Sequence, residues 1–192
     1  MKLDEYKKNY FADMDVDVKI DEKGRKKYNY VYKGIWYCWG WEGFDLTRRR
    51  VLYAAVEIIG IVLYIIAGTT PSAFNACKLN AGLSMLSIVA WLLEIRGVFG
   101  FCVCKKYMME IDYKSIHFRI TTGALLRILL MYSGAAAGLI SVAVNRELDL
   151  KGFLTFLAYI LCGAGSWIIS RSLRKIGYHA YHNDNGKVGS PY

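Results

Sequence analysis

The stretch from Ala81 to Cys104, AGLSMLSIVAWLLEIRGVFGFCVC, constrains this chain more than any other. At 1.5 Å per helical residue it makes about 36 Å of apolar helix, enough to cross a bilayer core of about 30 Å. It also carries Glu94 and Arg96. A charge at hydrocarbon depth costs about 3 kcal/mol or more, so each must find a partner, reach water or lie near the interface. Two residues apart, they are separated by about 200° around a helix and address different neighbours.

Three further apolar runs accompany this one, and apolar residues make up 55% of the 192. That composition belongs to the membrane class. The chain reads as an all-α membrane protein, a four-helix transmembrane bundle over 46–176 with spans at about 51–68, 81–104, 120–144 and 152–170. A small N-terminal cytosolic β-hairpin head occupies 1–45. In it Met1 to Met14 has rough helical spacing, as a short helix or arm. Val16, Val18 and Ile20 then alternate with polar residues, a turn follows at Asp21 to Gly24, and Tyr28, Tyr30 and Tyr32 alternate again. A hairpin alone is marginal in water, so this one needs a surface to lean on. The Gly- and Asn-rich stretch 177–192 is expected to be a disordered cytosolic tail.

Charge sets the orientation. The formal net charge is +9, yet Met1 to Thr47 holds nine Lys/Arg and nine Asp/Glu. The excess sits beside the spans, at Arg48, Arg49, Arg50, Lys105, Lys106, Arg171, Arg174 and Lys175. The opposite ends have only Lys78, Arg146 and Lys151, which places both termini in the cytosol and makes anionic lipid, rather than nucleic acid, the match for the positive charge. Trp36, Trp39 and Trp41, just ahead of the first span, suit the headgroup level together with Arg48 to Arg50. The five cysteines form no paired framework and are expected as free thiols.

Candidate sites are few. Gly134 and Gly138 in the third run and Gly163 in the fourth are small-residue positions that let helices approach, either within the bundle or against a second copy. His179 and His182 are three apart, but two ligands are too few for zinc, so no metal site is expected. No cofactor fingerprint, catalytic motif or phosphate-binding loop occurs, and no catalytic residue is assigned. What stands out is an intramembrane charge cluster of Glu57, Glu94, Arg96 and Arg127, all at similar depth towards the basic end. The simplest pairing joins Glu57 to Arg96 and Glu94 to Arg127. Its use is either structural, as buried ion pairs or with Arg96 snorkelling to the interface, or functional, as a proton or ion relay.

Through YVYKGIWYCW, FDLTRRR and the first span, roughly a third of the chain, the sequence resembles small multi-span membrane proteins of Gram-positive, clostridial-type bacteria. The resemblance implies a bacterial plasma membrane and carries no activity. The functional expectation is a non-enzymatic accessory or regulatory protein in the lipid bilayer, docking a protein partner or a second copy through its head and bundle. The alternative is a small oligomeric transporter or channel using the charge cluster.

Overall fold

The computed structural model describes residues 14–20, 25–40, 43–146 and 149–182, which form two compact units. The larger takes in 41–104 and 115–177. Its four long helices are α1 (Gly43–Thr69), α3 (Lys78–Val103), α4 (Glu110–Asn145) and α5 (Leu150–Lys175), with the single-turn α2 (Ala73–Ala76) between α1 and α3. The opening residues of α4, up to Lys114, belong to the smaller unit. All four long helices are long and apolar enough to cross a membrane. Their outward faces carry Ile58, Val62, Met85, Val89, Leu129 and Ile140, all exposed. Such a surface would be a liability in water and matches lipid tails, so the chain is a multi-pass membrane protein.

Local chemistry explains where each helix stops. The hydroxyls of Thr69 and Thr70 donate to the carbonyls of Ile65 (2.8 Å) and Ile66 (2.6 Å), and Pro71, which has no N–H, follows. Ser72 caps α2, accepting from the Asn75 amide at 3.4 Å. Asn75 Nδ2 then donates to the carbonyls of Ala67 (2.7 Å) and Thr70 (2.8 Å), satisfying chain ends that would otherwise face lipid. Arg146, at φ 53°, turns the chain out of α4 in the left-handed region, and the Asp149 carboxylate caps α5 by accepting from Gly152 N at 2.7 Å. The basic residues Arg174 and Lys175 lie in the last turn of α5, where the helix dipole favours them.

At the end of the bundle that carries α2, an apolar core gathers Ala67, Phe74, Met131, Ala135, Val142, Tyr159 and Cys162. Phe74 is its plug. Its ring stacks on Tyr159 with centroids 5.8 Å apart and fills the space that a side chain at Gly138 would need, since a Cβ there would lie 2.6 Å from the ring.

The smaller unit takes in the described residues of 14–40, together with 105–114 and 178–182. Strands β1 (Met14–Ile20) and β2 (Lys26–Tyr32) form the antiparallel hairpin anticipated from alternation, with Val16 opposite Tyr30 and Val18 opposite Tyr28. A second, three-stranded antiparallel sheet has β3 (Ile35–Trp39) at its centre, flanked by β4 (Tyr107–Met109) and β5 (Tyr178–His182). Two expectations change here. The stretch after Gly177, expected to be a disordered tail, contributes strand β5, and the head extends beyond 1–45 to recruit the central loop and this strand. The cause is long-range pairing: the hydrogen-bonding edges of β3 are met by strands about 70 and about 140 residues away, which no local pattern announces. The expected N-terminal arm, the turn at 21–24, Trp41 and residues 183–192 lie outside the described residues.

Candidate functional site: a buried arginine shared by two glutamates

Three glycines make the site possible. A Cβ on Gly123 of α4 would lie 2.6 Å from the Glu94 amide nitrogen, and one on Gly97 of α3 would lie 2.8 Å from the Ile120 nitrogen. Backbone therefore touches backbone where α3 crosses α4, a closeness that membrane helices reach only through small residues. That crossing brings Glu94 to Arg127, one turn beyond Gly123 on the same helix face. On α1, Gly60 leaves the room its own side chain would occupy to the guanidinium, with Arg127 Nη2 2.8 Å from the Cβ position.

Arg127 Nη1 donates to Glu94 Oε2 at 3.1 Å and to Glu57 Oε2 at 3.2 Å. The three residues are 2%, 0% and 5% exposed respectively. Trp91 Nε1 donates to the same Glu57 oxygen at 2.5 Å, and Ser166 Oγ to the same Glu94 oxygen at 2.8 Å. The guanidinium lies over the Trp91 ring, 4.0 Å from its centroid, so the cation gains an aromatic face as well as two carboxylates. Every long helix contributes: Glu57 from α1, Trp91 and Glu94 from α3, Arg127 from α4 and Ser166 from α5. Charge-assisted bonds of this kind are roughly twice as strong as neutral ones, and burial removes the competing water.

Glu57, Glu94 and Arg127 meet as their similar depth implies, and Glu94 pairs with Arg127 as expected. The expected Glu57–Arg96 pair does not form. Arg96 is exposed on the opposite side of α3 from Glu94, and Arg127 serves both acids instead. The reason is the angle between residues 94 and 96, which turns one side chain outward once the other faces the interior. Trp91 and Ser166 were missed from sequence. Trp91 sits three residues before Glu94, and Gly60 three after Glu57, so i,i+3 spacing from each acid was the available signal.

Gly134, Gly138 and Gly163 all pack inside the bundle, against Asn80, Phe74 and Tyr132 respectively. Of the basic cluster, Arg48 is exposed, whereas Arg49 Nη1 donates to Ser172 Oγ at 2.8 Å and Arg50 Nη2 to the Cys104 carbonyl at 2.6 Å. Arg50 thus caps the C-terminus of α3, where the dipole favours a cation. In the smaller unit, Trp39 is 2% exposed and packs beside Tyr113, which itself stacks on Tyr37 at 4.6 Å. Its expected interfacial role gives way to a place in an aromatic core, because it lies on the central strand. Trp36 is half-buried, edge-on to Tyr32 at 5.3 Å. No disulfide joins any of the five cysteines, and among the described residues no group of three His, Cys, Asp or Glu side chains converges as a metal site.

Compared with known proteins, the chain matches no family model, no curated protein and no solved structure.

Proposed function

We propose that this chain is a non-enzymatic accessory or regulatory protein of a bacterial plasma membrane, with both termini in the cytosol, that docks a protein partner through its small sheet unit. The observation that carries this reading is the β1–β2 hairpin. It exposes Ile20 (70%), Tyr28 (59%) and Val18 on strands that, among the described residues, pair only with each other. Two strands bury too little to hold such side chains in water without a covering surface. The basic residues at Arg48 to Arg50, Lys105, Lys106, Arg171, Arg174 and Lys175 support the orientation.

Affinity purification of the full chain in mild detergent, with identification of stoichiometric partners, tests it. The expected result is a partner that is retained by the native chain and lost from the Val18→Lys/Ile20→Lys variant, while the bundle still unfolds at the native temperature. A homo-oligomer without other partners that conducts ions in liposomes contradicts it. That outcome favours the second reading, a small transporter or channel, for which the specific support is a buried cluster with more carboxylates than cations.

A further inference from the structure

The cluster around Arg127 does not balance. From α1 it receives Glu57, from α3 Glu94 and from α4 Arg127, while α5 adds the Ser166 hydroxyl and, nearby, the Cys162 thiol, which donates to the Gly60 carbonyl at 3.5 Å. Among the described residues no second basic side chain lies within ion-pair distance of either acid. Two carboxylates and one guanidinium leave a net charge of −1 at a depth where even a single uncompensated charge is costly. The hydrogen bonds tell the same story. Each acid has one oxygen that accepts two bonds and another, Oε1, that is buried and has no hydrogen-bond partner among the described residues.

The partners of the two acids differ in one decisive respect. An indole N–H only donates, so Trp91 requires an acceptor at Glu57 and favours its ionised form. A hydroxyl both donates and accepts, so Ser166 can reverse its bond and accept an O–H from Glu94. A single ring separates the cluster from a groove in the bundle surface. The groove, of about 350 Å³ and lined by Tyr64, Asn75, Ser84 and Tyr159, opens at the α2 end, and the Tyr64 ring forms both its wall and an edge contact with Trp91, with centroids 5.4 Å apart.

We propose that Glu94 is a proton-binding site: it takes up one exchangeable proton from water, becomes a neutral carboxylic acid, and passes its O–H bond to Ser166 while Arg127 keeps Glu57 as its ionised partner. The step is a simple protonation that cancels the surplus charge. It goes beyond the docking function and holds whether or not the sheet unit has a partner.

Infrared difference spectroscopy of the purified full chain in lipid nanodiscs, taken between mildly acidic and mildly alkaline buffer, tests it. The native protein should show a protonated-carboxyl band that disappears on alkalinisation. Both Glu94→Gln and Glu57→Gln should abolish the band, because either leaves one acid matched to Arg127, and both replacements keep an acceptor for the neighbouring donor. Ser166→Ala should shift the band and its titration midpoint by several-fold in proton affinity, and Trp91→Phe should leave the band position in place. No band in the native protein, or a band that survives both glutamine variants, overturns the proposal. A band moved by Trp91→Phe and not by Ser166→Ala overturns the assignment to Glu94 in favour of Glu57.

Discussion

Around Phe74, the α2 end of the bundle is held by ring on ring and methyl in gap, with the amides of Asn75 and Asn80 donating to the chain carbonyls nearby. Around Arg127, further along the same bundle, the helices are held by a buried ion cluster in which three polar atoms, Glu57 Oε1, Glu94 Oε1 and Arg127 Nε, have no hydrogen-bond partner among the described residues. Both regions depend on glycine to bring elements together: Gly138 admits a side chain, and Gly123 admits a backbone. The difference is one of range and error tolerance. An apolar plug loses energy in proportion to the contacts removed, whereas a charge cluster loses most when only one sign is removed.

That contrast predicts an order of effects. Arg127→Leu should cost about 3–5 kcal/mol, since it strands two buried carboxylates, and reversible unfolding in detergent reads the loss directly. Phe74→Ala should cost about 3 kcal/mol through the cavity it leaves, with the Arg127 cluster intact. The same unfolding assay separates the two by pH: lowering the pH should recover part of the Arg127→Leu loss, because protonation neutralises the stranded acids, and should recover none of the Phe74→Ala loss. Smallest of all, Arg96→Leu should change stability by about 0.5 kcal/mol or less, because this side chain is exposed and outside the cluster. A loss comparable to that of Arg127→Leu would put Arg96 back among the pairing residues.

Much of the bundle was legible from hydropathy and charge because a span must be apolar over about 20 residues whatever its neighbours do. The hairpin was legible for a similar reason, since Val16, Val18 and Ile20 alternate within one strand. Strand β5 was not, because Tyr178 to His182 becomes a strand only against β3, and a Gly- and Asn-rich context hid it. The cluster was half legible. Depth along each helix singled out Glu57, Glu94 and Arg127, but depth carries no information about rotation, and rotation is what excluded Arg96 and selected Trp91 and Ser166. Gly97 and Gly123 show the same limit: each is one glycine among 18, and only the crossing of α3 and α4 distinguishes them.

Arg127 holds α1, α3 and α4 together by answering both acids, and the most direct test is rescue of Arg127→Leu by neutralising them. The triple variant Glu57→Gln/Glu94→Gln/Arg127→Leu keeps acceptors for Trp91 and Ser166 while removing every charge. Its unfolding free energy should return to within about 1 kcal/mol of the native protein, against a loss of about 3–5 kcal/mol for Arg127→Leu alone. A triple variant as unstable as the single one, or a single variant as stable as the native chain, would contradict it.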